Sequence, residues 1–188
     1  MRKLFLWIVF LIVSLLISFS CSNGNHNITW EQEVDSTVKY WNGRHMILPD
    51  SIESLVNKLK FPTSSNENVN SLKVVSYIDG NCGTCLLNLQ FWEGFIHEVL
   101  LKTSNCEFLI FVNAEDKNDF ASAAIKYGFT YPWLFDKESS FIKMNKIWDK
   151  RFQTALLNSK NEVILIGDPT NNIKLAELYM DTILKLSN

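Results

Sequence analysis

Apolar and polar positions alternate along this chain in two periods, and the change from one to the other marks out its elements. Lys73-Val74-Val75-Ser76-Tyr77-Ile78 is a β-rich run closed by the turn Asp79-Gly80-Asn81. A helix is predicted from Cys82 to about Lys102, with Leu89, Trp92, Ile96 and Val99 on one stripe. Cys106 to Val112 is almost wholly apolar, as in a strand covered on both faces. Asp119 to Tyr127 reads as a helix stopped by Gly128, and Trp133-Leu134-Phe135 as a third strand. Gln153–Leu157 and Glu162–Ile166 form a hairpin, and a closing amphipathic helix from about Asn171 carries Leu175, Leu178, Tyr179 and Ile183. Strands alternating with helices predict an α/β fold, with the hairpin as its antiparallel edge.

Before Leu72 the pattern is less regular. Val38–Trp41 and His45–Leu48 flank Asn42-Gly43, a hairpin signal because both residues tolerate positive φ. Pro49-Asp50 opens a short predicted helix, with Glu53 completing a capping box and Ile52, Leu55, Val56 and Leu59 on one face. Phe61 to Ser71 is polar and breaker-rich and reads as a loop.

The chain has 188 residues, 47% of them hydrophobic and 13% aromatic, which suits one well-filled core. A formal net charge of −2 provides no basic field for nucleic acid. The first residues change the picture more. Arg2 and Lys3 precede an apolar run from Leu4 to Ile17, and Ser18-Phe19-Ser20 leads into Cys21. That shape is an export signal. Its cysteine makes it resemble a bacterial lipoprotein signal, which implies residues 1–20 as signal peptide and Cys21 as the lipidated residue. A plain N-terminal membrane anchor is the other reading. Both put the folded part outside the cytoplasm. Residues 21–71 are then a tether and N-terminal extension, and 72–188 the main domain.

Three cysteines remain in the folded part: Cys82, Cys85 and Cys106. An exported protein meets an oxidising setting in which thiols pair. At the start of a helix, Cys82 lies by unpaired N–H groups that favour thiolate, and Cys85 lies one turn on. The spacing supports disulfide exchange, with Cys82 attacking and Cys85 resolving. Zinc would need two more ligands, and neither Cys106, His26, His45 nor His97 is spaced to supply a second pair. A pair that simply stays oxidised is the bland alternative, and Cys106 reads as a small core residue.

The order strand, Cys-x-x-Cys at a helix start, strand, helix, strand, hairpin, closing helix resembles the thioredoxin-like superfamily. Phe129 to Ile147 and Thr154 to Pro169 are similar to the corresponding segments of redoxins and TlpA-like envelope thiol–disulfide oxidoreductases. The resemblance implies a mixed central sheet flanked by helices, with the N-terminal hairpin and helix as an extension. It also implies protein dithiol or disulfide substrates, a membrane electron donor, no metal and no cofactor, and a cell-envelope location facing the periplasm. Three positions depart from the pattern. Asn81 stands where an aromatic residue usually precedes the first cysteine, Ser76 where many members hold a buried acid, and Phe152 where a cis-proline faces the dithiol. Asn81 and Phe152 are therefore candidate groove residues. A cis peptide before a non-proline costs about 2.5–4 kcal/mol, so Phe152 is expected to be trans. Ser76 and Phe152 favour the rival reading, a thioredoxin-like lipoprotein that binds or scaffolds without catalysis, and the intact Cys-x-x-Cys opposes it.

Overall fold

The computed structural model of the protein describes residues 29–49 and 71–187. By its contacts the chain divides into two compact units, residues 1–35 and 36–188, and the sheet belongs to the second. The predicted signal, Cys21, and the helix expected after Pro49 lie outside the described residues.

The first described element corrects the predicted hairpin. Trp30–Trp41 is an α-helix, α1. Thr29 and Gln32 form a reciprocal capping box: Gln32 N–H donates to Thr29 Oγ1 (3.3 Å), and Thr29 N–H to Gln32 Oε1 (3.0 Å). Asn42-Gly43 ends this helix instead of turning a hairpin. Gly43 takes φ 73°, the left-handed conformation that commonly terminates a helix. Beyond it the chain is extended, with His45 paired in an isolated bridge to Glu162.

Five strands then make one sheet in the order β3-β2-β1-β4-β5. β1 (Leu72–Asp79) and β2 (Cys106–Asn113) run parallel in an eight-residue register, from Leu72 opposite Cys106 to Asp79 opposite Asn113. β3 is short, Leu134–Phe135, and parallel to β2. β4 (Thr154–Leu157) and β5 (Val163–Ile166) form the antiparallel hairpin, whose turn includes Asn161 at φ 60°. The α/β sheet is mixed, as its apolar runs predict. Val74, Val75, Phe108, Ile110, Phe111 and Val112 are fully buried, because helices cover both faces.

The helix predicted from Cys82 to Lys102 is two helices. α2 is Gly83–Leu87 and α3 is Leu89–Lys102, with Asn88 between them. Asn is a weak helix-interior residue because its side chain competes for hydrogen bonds elsewhere. Here the Asn88 amide reaches across to Asn171 Oδ1 (2.7 Å). α3 buries the predicted stripe of Leu89, Trp92, Ile96 and Val99.

α4 spans Lys117–Lys126, capped by Asp116 and followed by Gly128 at φ 68°. α5, Ser140–Asn145, has no counterpart among the predicted elements. Its N-terminal N–H groups are satisfied from a distance: Asp136, 5% exposed, accepts from Ser140 N–H (2.8 Å) and Phe141 N–H (2.9 Å). Two single turns of 3₁₀ helix, Lys150–Phe152 and Pro169–Asn171, flank the hairpin. The closing helix α6 is Ile173–Ser187 and buries Tyr179, Met180 and Ile183.

Candidate active site

β1 ends at Asp79, and the chain turns so tightly through Gly80 that a side chain there would meet Ala114 and the Asn113 carbonyl at 2.8 and 3.0 Å. The turn delivers Cys82 as the N-terminal boundary residue of α2, with φ −97° and ψ 112°. Cys85 follows one turn later. The two sulfurs are in disulfide contact, with Cα atoms 5.2 Å apart. Both cysteines are half-buried. The Thr84 hydroxyl lies 3.2 Å from Cys82 Sγ. With the sulfurs joined, the hydroxyl is the donor.

The pair opens into a cleft of about 380 Å³ whose lining includes Ser76, Tyr77, Asp79, Trp92, Lys150, Gln153, Asp168 and Asn171. Its floor is polar. Ser76, 2% exposed, shares a 2.8 Å hydrogen bond with the Thr154 hydroxyl. Ser76 therefore spends its hydroxyl within the sheet, and no carboxylate stands at that position. Tyr77 bonds Ser139 through its hydroxyl (2.8 Å), and burial raises its pKa above the ordinary phenol value. At the mouth, Asp79 Oδ2 accepts from Lys150 Nζ (3.0 Å) and Oδ1 from Asn81 N–H (3.1 Å).

The structure places the two candidate groove residues differently. Asn81 is exposed beside Cys82, and its Oδ1 accepts from Glu115 N–H (3.0 Å), which ties the cysteine turn to the segment after β2. The Phe152 ring is 5% exposed and does not line the cleft, while its neighbour Gln153 does. No cis peptide bond occurs among the described residues, so the Phe152 bond is trans. The Gln153 carbonyl is already used by β1, accepting from Tyr77 N–H (3.0 Å).

Glu93, Trp133 and Trp148 fall outside the cleft. Glu93 is partly exposed on α3. Its oxygens accept from Thr130 N–H (2.8 Å), Thr130 Oγ1 (2.6 Å) and Tyr131 N–H (3.2 Å), stapling that loop to α3. Trp133 packs edge-on against Phe120 at 4.8 Å, and Trp148 is 66% exposed. Trp92 lines the cleft while 2% exposed, serving both wall and core. Among the described residues, no group of three or more His, Cys, Asp or Glu could hold a metal ion.

Cys106 opens β2 with 5% exposure, and burial pushes its thiol up to about 12. At pH 8 it therefore stays protonated and unreactive. After reduction, iodoacetamide at pH 8 is expected to modify Cys82 and Cys85, and to reach Cys106 only once guanidinium unfolds the chain. Mass spectrometry of the labelled peptides checks this. Labelling of native Cys106 at the rate of the other two contradicts it.

Sequence reasoning missed Asn88, Asp168 and Asn171. The available signal was Asp168-Pro169, which reads as a capping residue with proline just inside a helical turn. That signal marks a turn and carries no information about the cysteines lying nearby.

No family model matches the chain, and no curated protein matches it in sequence. Solved structures do. A proposed protein disulfide isomerase from Bacteroides thetaiotaomicron is similar at a TM-score of 0.52 and 16% identity, over 62% of this chain and 74% of that one. A thioredoxin-like protein in its oxidised form gives 0.50 and 10%, over 63% and 80%. A proposed thiol:disulfide interchange protein DsbE from Chlorobium tepidum gives 0.49 and 12%, over 63% and 81%.

Proposed function

We propose that this chain, which has the thioredoxin-like fold, is a thiol–disulfide oxidoreductase of the bacterial cell envelope that works through Cys82 and Cys85. The observation that carries the reading is the Cys82–Cys85 pair in disulfide contact at a helix start, opening into a cleft. The name of a similar structure, a proposed protein disulfide isomerase, supports thiol–disulfide chemistry.

In the reducing direction, the Cys82 thiolate attacks one sulfur of a protein disulfide. A Cys82–substrate bond forms, and the other substrate sulfur leaves and takes a proton. Cys85 then attacks Cys82 Sγ, forming the Cys82–Cys85 bond and releasing the second substrate thiol. Two electrons and two protons pass to the substrate, and a membrane dithiol donor restores the reduced pair. The reaction calls for no cofactor and no metal. The Thr84 hydroxyl, 3.2 Å from Cys82 Sγ, stabilises the attacking sulfur as thiolate.

Anchoring through a lipid on Cys21 belongs to the same proposal, supported by the export-type run before it. Among the described residues, no helix is long and apolar enough to cross a membrane. Domain limits at 1–20, 21–71 and 72–188 follow from that reading, with the sheet's first strand starting at Leu72.

The deciding test uses the full-length chain with Cys21→Ser, reduced and mixed with a model protein disulfide such as insulin. Catalytic reduction with a regenerating dithiol is expected, together with a reversible Cys82–Cys85 couple in glutathione buffers. No turnover, with the pair locked oxidised, would establish instead a binding module on a thioredoxin-like frame.

A further inference from the structure

Two carboxylates line the cleft beside the dithiol, and their surroundings differ. Asp79 is committed to the Lys150 ammonium. Asp168, in the loop after β5, takes only neutral donors. Its Oδ1 accepts from Thr170 N–H (2.8 Å) and the Thr170 hydroxyl (2.6 Å), and its Oδ2 from the Asn171 amide (2.7 Å). Asn171 Oδ1 in turn accepts from the Asn88 amide (2.7 Å). Asn88 sits at the break between α2 and α3, one turn after Cys85. Two successive side-chain hydrogen bonds thus tie the dithiol helix to a carboxylate in the same cleft.

Thiol–disulfide exchange at Cys85 needs a group to take the thiol proton as its sulfur attacks. We propose that Asp168 is that proton acceptor, with Asn88 and Asn171 as positioning residues. The inference rests on the thiol–disulfide reading above. In the resolving step, the Cys85 S–H bond breaks and its proton passes to the Asp168 carboxylate. The Cys85–Cys82 bond forms, the Cys82–substrate bond breaks, and its electron pair leaves on the substrate sulfur. That thiolate then takes the proton from Asp168, which returns to a carboxylate, so the net charge of the cleft is unchanged.

The electrostatics suit this task. Burial raises the Asp168 pKa above the ordinary carboxylate value, against the opposing hydrogen bonds from Thr170 and Asn171. A carboxyl moved upward accepts a proton more readily near neutral pH. The other titratable groups facing the cleft or Asp168 are Tyr77, Tyr179, the Asp79–Lys150 pair and the two cysteines. Burial raises both tyrosines above the ordinary phenol value, and Tyr179 donates to the Gly167 carbonyl (2.9 Å), so neither takes a proton at neutral pH.

The test follows two successive thiol releases when the reduced full-length chain with Cys21→Ser meets 5,5′-dithiobis(2-nitrobenzoate). The first release reports attack by Cys82, and the second reports resolution by Cys85. For the otherwise unaltered chain, the second rate is expected to rise with pH through two bends, the lower one set by Asp168 becoming a carboxylate. Asp168→Asn is expected to slow that release about tenfold at pH 7 and to erase the lower bend. Asp168→Glu is expected to restore the bend. If Asp168→Asn does not fold, Asn171→Ala serves in its place, because loss of a donor to the carboxylate moves the bend to higher pH. An unmoved profile in the folded variant overturns the proton-acceptor role alone. Absence of the second release in the chain with Asp168 and Asn171 intact overturns the oxidoreductase reading as well.

Discussion

With Cys85 replaced by Ser, turnover is expected to fall by roughly a thousandfold or more, with substrate left bound to the protein through Cys82. The reasoning is geometric. Cys82 is the boundary residue of α2, beside the Thr84 hydroxyl and at the mouth of the cleft. Cys85 lies a turn inside the helix with its sulfur against Cys82 Sγ, the position from which a resolving thiolate attacks. Removing Cys85 leaves the first exchange intact and deletes the second, so a mixed disulfide accumulates. Removing Cys82 deletes the first and traps little. The check is a non-reducing gel of each single variant after exposure to an oxidised protein substrate, with the adduct mapped by mass spectrometry. Equal adduct from Cys82→Ser would reverse or dissolve the assignment of roles.

The second large effect concerns stability. Phe108→Ala is expected to lower unfolding free energy by about 3–5 kcal/mol. Phe108 is fully buried in β2, 6.1 Å from the Phe95 ring and 5.9 Å from Tyr131, both edge-on. Phe95 continues the cluster to Trp92 (6.2 Å) and Tyr179 (6.3 Å). Truncation removes both the transfer free energy of the ring and its edge-to-face contacts, and it leaves a cavity that rigid strands cannot close. Against a typical domain stability of about 5–15 kcal/mol, that is a large share. The urea midpoint is expected to fall with m unchanged. Leu101→Ala, at a 73% exposed position, is the control and is expected to stay within about 0.5 kcal/mol. A loss below about 1 kcal/mol for Phe108→Ala would mean that the cluster does not organise the core. Because Trp92 also walls the cleft, the same substitution is expected to loosen the dithiol's surroundings.

The sheet was legible in the sequence for a physical reason. Strands buried on both faces leave little choice of residue, so Val74-Val75 and Phe108 to Val112 announce themselves. The hairpin and closing helix were equally plain, with Tyr179 and Ile183 fully buried as their spacing requires. The first described segment was not. Asn42-Gly43 serves a hairpin or a helix end equally well, because both need positive φ, and the deciding residues were Thr29 and Gln32 at the far end of α1. α5 escaped because its capping carboxylate, Asp136, stands several residues upstream of the helix. At the site, adjacent residues were readable and distant ones were not. Cys82 and Cys85 stand together in the chain, whereas Asn88 and Asn171 meet across 83 positions. Only the sheet order brings that pair together.

Residues 43–46 have one more consequence. Gly43 N–H donates to the Val163 carbonyl (2.8 Å), Val163 N–H to the Arg44 carbonyl (2.8 Å), and Met46 N–H to the Asn161 carbonyl (2.8 Å). Asn145 grips the next residue by both backbone groups, accepting from Ile47 N–H and donating to the Ile47 carbonyl, each at 2.8 Å. Met46 is fully buried beneath them. The start of β5, at Val163, is thus already paired on its outer side. An uncovered edge is a template on which neighbouring chains stack, most dangerously where many copies crowd one surface. Residues 43–46, remote in sequence from the sheet, close off one end of such an edge.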